Sequence, residues 1–236
     1  MAIWAIVPAA GVGKRLGAEI PKQYLSICGK TILHHTLERL GRVRTLSGLV
    51  LVLRPDDKTP VSAEIPESLN VRIARGGEER CHSVLNALKI LEFELASDDW
   101  VLVHDAARPC VKPSEVDGLI DVVSNHDVGG LLAAPVSDTL KRVNDEGEIT
   151  GTVDRTELYR ALTPQIFRFH VLKRALRLAA DQNRIVTDDS AAIESLGLSP
   201  VIVPGSTDNI KITEESDLLL AEAIMQQQNS PGVGSP

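Results

Sequence analysis

The sequence predicts an α/β protein, a mostly parallel sheet with helices on both faces and a β-hairpin arm projecting from it. Three observations carry this. From Ile3 to about Met225, short apolar runs of strand length alternate with segments whose apolar residues recur at helical spacing, the pattern of successive βαβ units. Several of these runs end in small residues or in a charged turn, as buried parallel strands do at the edge where they release the chain. One segment, residues 137–156, breaks the alternation with a polar, strand-like repeat around an Asp145-Glu146-Gly147 turn.

Each element can be justified in order. Ile3-Trp4-Ala5-Ile6-Val7 is a buried strand, and Thr31 is placed to cap a helix through Ile32, Leu33, Leu37 and Leu40 that stops at Gly41. His34 and His35 lie on this helix. Adjacent residues point to different faces, so the pair reads as surface or packing residues and not as metal ligands. Residues 49–53 form a second buried strand, 54–70 a proline-containing loop or poor helix, and 71–74 a third strand. The third strand delivers Gly76-Gly77, which opens a helix through Leu85, Leu88 and Leu91. Residues 100–104 are a fourth strand, 113–125 a helix and 130–136 a fifth strand. The hairpin follows, and an isolated two-stranded ribbon needs something to pack against. The chain then returns to the core over 158–167, forms helices over 170–180 and from Thr187, a strand over 201–204 and a closing helix over 214–225. This gives one domain, residues 1–225, and a disordered tail, 226–236.

A formal charge of −7 on 236 residues argues against nonspecific binding to nucleic acid, so a basic loop in this chain is a local site for a small anion. Cys28, Cys81 and Cys110 are odd in number and isolated, which reads as reduced thiols. With no apolar run of membrane-spanning length and no targeting segment, a cytoplasmic protein is expected.

The first strand empties into Pro8-Ala9-Ala10-Gly11-Val12-Gly13-Lys14-Arg15-Leu16-Gly17, followed by Pro21-Lys22-Gln23-Tyr24. Gly11 and Gly13 lack the Cβ atoms that keep a polyphosphate away from backbone N–H groups, and Lys14, Arg15 and Lys22 supply cations within one short segment. Pro21 forbids one long helix through this region, and no Ser or Thr follows a lysine after the last glycine, so neither common phosphate-loop pattern applies. A tight turn with solvated cations would leave the same trace. The fourth strand ends in Asp105-Ala106-Ala107-Arg108-Pro109, which puts a carboxylate at the carboxyl edge of the sheet where ligands gather, though a turn-capping role is open to it.

Together, the string Pro8-Ala9-Ala10-Gly11-x-Gly13-x-Arg15-x-Gly17, with Pro21-Lys22-Gln23-Tyr24, Asp105-Ala106-Ala107-Arg108-Pro109 and Thr163-Pro164-Gln165, resembles the 2-C-methyl-D-erythritol 4-phosphate cytidylyltransferases. The resemblance implies a Rossmann-like nucleotidyltransferase sheet and transfer of CMP from CTP to a sugar-alcohol phosphate. It implies that Pro8, Ala9, Ala10, Gly11, Gly13 and Ala106 cradle the nucleotide, that Gly77, Glu78 and Ser83 line the base pocket, and that Arg80 supports the triphosphate. Arg15 and Lys22 become the transition-state cations. Asp105 becomes the ligand of Mg²⁺, with Mn²⁺ or another divalent ion as alternatives. Arg108, Thr139, Arg155, Thr163, Thr187, Asp188 and Lys211 face the acceptor, Arg155 and Lys211 as catalytic groups. Thr139 and Arg155 would act from the arm of a second subunit, making a homodimer with shared sites. Thr187 and Asp188 also fit a plain helix start, where acids are favoured by the dipole. Leu162 stands where the family commonly has Gln. A ribitol 5-phosphate cytidylyltransferase, or a noncatalytic CTP sensor, would keep most of the same motifs.

Overall fold

In the computed structural model, which describes residues 1–11, 20–59, 61–67 and 69–230, the first apolar run is β1, Ile3–Pro8. A small hairpin, β2 (Ser26–Ile27) with β3 (Lys30–Thr31), leads into α1 (Ile32–Gly41). Thr31 caps that helix as expected, its Oγ1 accepting from His34 N at 3.0 Å. His35 is a packing residue, buried with Nε2 2.8 Å from the Ile27 carbonyl oxygen.

β1 pairs in parallel with β4 (Gly48–Leu53) on one side and β6 (Trp100–Val103) on the other. Beyond β4 lies β5 (Val71–Arg75), which leads to α2 (Arg80–Leu91). Side chains of the first strand alternate between two cores: Ile3, Ala5, Val7 and Ala9 face one, Trp4 and Ile6 the other. Because both faces are dry, the run must be apolar throughout, which is why it shows no polar alternation. The first core is closed by α1 and α3 (Pro113–Val123) through Leu33, Leu37, Val116 and Leu119. The second is closed by α2, α4 (Phe169–Asp181) and α5 (Asp189–Glu194) through Val84, Leu88, Leu172 and Ile193.

After α3 the chain forms β7 (Gly129–Pro135), the arm strands β8 (Leu140–Val143) and β9 (Ile149–Val153), and β10 (Tyr159–Arg168). With β11 (Val201–Pro204), the seven-stranded sheet runs β11-β7-β10-β6-β1-β4-β5. β10 is antiparallel to both of its neighbours, β6 and β7. It is reached through a projecting hairpin rather than a crossover helix, and such a connection returns a strand in the opposite direction. Within β10 the pairing to β7 shifts register between Ala161 and Gln165; Pro164, with no N–H, cannot serve a continuous ladder there. Leu162 is buried in the first core, so the position that departs from the family pattern is here an apolar packing site.

The arm's two strands pair only with each other among the described residues and leave Val143 and Ile149 exposed. At the C-terminus, α6 (Glu215–Asn229) starts with a reciprocal capping box between Glu214 and Asp217. It corrects the expected tail boundary: residues 226–229 are helical. Glutamine is a good helix former, and Gln228 Nε2 donates to the Cys110 carbonyl at 3.1 Å, tying this last turn to the body. Residues 231–236 lie outside the described residues. No helix among those described is long and apolar enough to cross a membrane.

Candidate active site

The chain builds β1, β4 and β5 outward in one direction and then returns to place β6 on the other side of β1. The strand order therefore reverses between β1 and β6, and a crevice opens at the carboxyl ends of these two strands, where an open α/β sheet binds ligands. Two adjoining cavities occupy it, of about 220 Å³ and about 270 Å³.

The first cavity collects most of the expected nucleotide-binding residues: Pro8, Ala9, Ala10 and Gly11 from the end of β1, Gly77, Glu78 and Ser83 from the second glycine turn, and Ala106. The two turns touch. A Cβ on Gly76 would collide with that of Ala10, so glycine is needed for this close approach. Gly77 N donates to Ser83 Oγ at 3.1 Å, and that hydroxyl donates to Glu79 O at 3.2 Å, which fixes the turn at the start of α2. Gln23, which the sequence did not single out, donates from Nε2 to Ala9 O at 2.7 Å and holds the cradle from below. Pro21 is followed by a short 3₁₀ turn, Lys22–Tyr24, in keeping with the expected break in helix, and Lys22 Nζ donates to Ile212 O at 2.9 Å. Gly13 and Arg15, expected in the same cradle, lie outside the described residues.

Asp105 stands where the two cavities meet. Its carboxylate is 3.4 Å from Arg80 Nε, 3.4 Å from Arg108 Nε and 2.9 Å from Lys211 Nζ. Burial alone would raise its pKa, but Arg80, Lys211 and Arg108 together outweigh burial and hold the carboxyl well below the usual range. Arg80 bridges onward, its Nη1 lying 2.8 Å from Asp189 Oδ2, a carboxylate with no exposed surface. Burial of Arg80 opposes its charge, yet Asp189 and Asp105 keep it protonated more firmly than a free guanidinium. Arg80, Asp105 and Lys211 line both cavities, so the boundary between them is a charged wall.

The second cavity brings together Arg108, Thr163, Thr187, Asp188 and Lys211, five of the residues expected to face the acceptor. Asp188 caps α5, its Oδ1 accepting from Ala191 N at 2.9 Å, and its Oδ2 accepts from Gln165 Nε2 at 2.8 Å. Thr163 is largely committed to the interior, its hydroxyl accepting from Asp105 N at 3.0 Å and lying 3.1 Å from His104 Nδ1. Thr139 and Arg155 line neither cavity. Both are exposed on the arm, where Arg155 Nη1 donates to the Ser137 carbonyl.

Sequence reasoning missed Gln23, His104, Gln165, Asp189 and Asn209 as members of the site. All five are buried polar groups with at least one partner fourteen or more residues away, and no local spacing announces such pairings. Among the described residues no three His, Cys, Asp or Glu side chains form a metal-ligand cluster. Asp105, the candidate ligand, has its carboxylate engaged by Arg80, Arg108 and Lys211, and a divalent ion bound there would take its remaining oxygens from phosphate and water.

A sheet with a crevice at its topological switch point, lined by glycine turns and a charged wall, defines the class of α/β nucleotide-binding enzymes. Within that class, the chain belongs to the 2-C-methyl-D-erythritol 4-phosphate cytidylyltransferase family, whose model matches residues 3–227. It is 49% identical over 226 residues to the protein of that name from Hahella chejuensis, covering 95% of this chain and 93% of that one. To the one from Vibrio vulnificus it is 46% identical over 224 residues, covering 95% and 94%. Among solved structures, a 4-diphosphocytidyl-2C-methyl-D-erythritol synthase superposes with a TM-score of 0.81 at 34% identity, covering 95% of this chain and 98% of that one. The Francisella tularensis 2-C-methyl-D-erythritol 4-phosphate cytidylyltransferase gives 0.79 at 33%, covering 95% and 100%.

Proposed function

We propose that the protein transfers CMP from CTP to 2-C-methyl-D-erythritol 4-phosphate, giving 4-diphosphocytidyl-2-C-methyl-D-erythritol and pyrophosphate for isoprenoid precursor synthesis in the cytoplasm. The observation that carries this reading is the charged wall of Arg80, Asp105, Arg108 and Lys211 between a cavity lined by the glycine cradle and one lined by polar acceptor-side residues. Two phosphorylated substrates meeting there would bring the acceptor's phosphate oxygen against the α-phosphorus. The new P–O bond forms as the bond to the leaving pyrophosphate breaks. A phosphate monoester is already anionic, so no general base is needed, and the task of the protein is to hold negative charge with fixed cations. Lys211, paired with Asp105, and Lys22, held at the Ile212 carbonyl next to it, supply these, with Arg15 as their expected companion. A divalent cation held by Asp105 and the nucleotide's phosphates would further neutralise the departing charge.

Pyrophosphate release from CTP and Mg²⁺ is the direct test, with 2-C-methyl-D-erythritol 4-phosphate, ribitol 5-phosphate and no acceptor run in parallel. Release with the methylerythritol phosphate alone is expected. Release with ribitol phosphate alone would move the reaction to the other acceptor, and silence with both in a protein that binds CTP would leave a sensor.

The arm completes this reading. Its exposed apolar residues and the position of Thr139 and Arg155 outside both cavities support a homodimer in which each arm reaches the partner's acceptor pocket. Lys22→Ala and Arg155→Ala subunits, each inactive alone, are then expected to recover about a quarter of wild-type activity after exchange, since half of the dimers carry one intact site. No recovery, with exchange verified by mass, would confine each site to one chain.

A further inference from the structure

His104 is the last residue before the Asp105 turn, has no exposed surface, and takes no part in the transfer as described above. Its ring nonetheless touches that turn at both ends. Nε2 lies 3.1 Å from Arg108 O, and Nδ1 lies 3.1 Å from Thr163 Oγ1. The same hydroxyl accepts from Asp105 N at 3.0 Å. The proton inventory closes in one direction. Thr163 Oγ1 accepts from the Asp105 amide and has one hydrogen to give; in the neutral ring, whose single hydrogen faces Arg108 O, Nδ1 is the acceptor for it. Arg108 O can only accept, so the ring hydrogen sits on Nε2. Every polar atom of the ring is then satisfied in the interior.

A second set of bonds clamps the turn from the other side. Asn209 Nδ2 donates to Thr163 O at 2.7 Å, Arg108 Nη1 donates to Asn209 O at 2.7 Å, and Ile212 N donates to Ala107 O at 2.9 Å. The turn that carries Asp105 and Arg108, the loop that carries Lys211, and β10 are thereby joined at Thr163. The register shift in β10 between Ala161 and Gln165 is what releases this residue from the β7 ladder.

We propose that His104, acting through the Thr163 hydroxyl, is a positioning residue that fixes the Asp105–Arg108 turn so that its carboxylate and guanidinium face the reacting phosphates in one geometry. The inference rests on the proposed transfer for its kinetic test, but not for its structural one. Thr163→Val removes the hydroxyl at constant shape, and His104→Gln keeps a donor toward Arg108 O while leaving Thr163 without its acceptor. Each is expected to lower kcat about 30-fold with KM for CTP within about twofold, because a small misplacement of charged groups costs turnover more than ground-state binding. Thr163→Ser should restore kcat to within about threefold. The double variant should lose no more than either single one, since the two residues form one link.

Independent and additive losses, or thermal midpoints that fall while kcat holds, would overturn the proposal. The second arm is ¹⁵N NMR of the ring in the unmodified full chain, which should show a protonated Nε2 and a bare Nδ1. The opposite tautomer, or a ring averaging between the two, overturns the proposal whether or not the protein turns over the substrates named above, so a failed reaction assignment and a failed link give different results.

Discussion

Lys22→Ala is expected to lower kcat by about 10²–10³-fold while raising the CTP dissociation constant no more than about tenfold. The asymmetry follows from how the ammonium is held. Pro21 fixes the backbone ahead of the 3₁₀ turn, and the Lys22 side chain reaches across the crevice to donate to Ile212 O at 2.9 Å, beside Lys211. A cation held in advance costs little reorganisation when charge moves from the bridging oxygen to the leaving group, and its attraction grows as that charge grows. On the proposed reading, CTP in its ground state would also be gripped by the backbone of Pro8 to Gly11 and by the base-side turn, and these survive the substitution. Lys22→Arg should rescue only in part, because a planar fork does not place its charge where a compact ammonium does. Single-turnover rates against equilibrium binding measure both quantities. A dissociation constant that rises in step with an unchanged kcat would assign Lys22 to ground-state binding.

How far this site could be read in advance depended on the length scale of each feature. The strands 49–53 and 100–104 were legible because burial on both faces forces an unbroken apolar run, and α1 because Thr31 and the spacing of Leu33, Leu37 and Leu40 are local. The three strings at the crevice were legible for the same reason, since Pro8 to Gly11, Gly77 to Ser83 and Asp105 to Arg108 are each contiguous. Direction is not a local property, so nothing within residues 159–168 marks β10 as antiparallel. Nor do buried polar partnerships leave a local trace. Arg80 read as a phosphate ligand, yet besides Asp105 it pairs with Asp189, a residue that in sequence looks like an ordinary acid at a helix start. Thr163 read as a substrate contact through the family string, and its hydroxyl proves to be bonded to the turn that carries Asp105. At the C-terminus, a run of glutamines suits helix and tail alike, and the bond from Gln228 to Cys110 O decides for helix.

Asp105→Asn tests the charged wall as a unit. The carboxylate is the shared counterion of Arg80, Arg108 and Lys211, and removing its charge leaves these cations to repel one another around a neutral amide. Arg80 retains Asp189 and Arg108 retains Asn209 O, so the fold survives, but the wall relaxes and the proposed metal loses its protein ligand. Turnover is expected to fall about 10³-fold, with saturation by Mg²⁺ shifted to higher concentration. Stability at neutral pH should drop by about 3 kcal/mol, the scale for breaking a buried pair by removing one partner. That difference has a defined pH dependence. The folded carboxyl titrates well below its unfolded value of about 3.9, so its contribution is fully present above that value and is lost as pH falls through the folded one. Denaturant titrations of the two proteins should therefore converge as pH falls below the unfolded carboxyl value toward the folded one, with buried Asp189, which burial and Asp105 both push up, as a further carboxylate whose titration differs between them. Other carboxylates held low, such as Asp57 and Asp217, titrate identically in both and cancel from the comparison. A gap that persisted unchanged to the lowest pH at which the protein folds would mean that the amide disturbs packing, and the ion pairs at the crevice would not be what holds the turn in place.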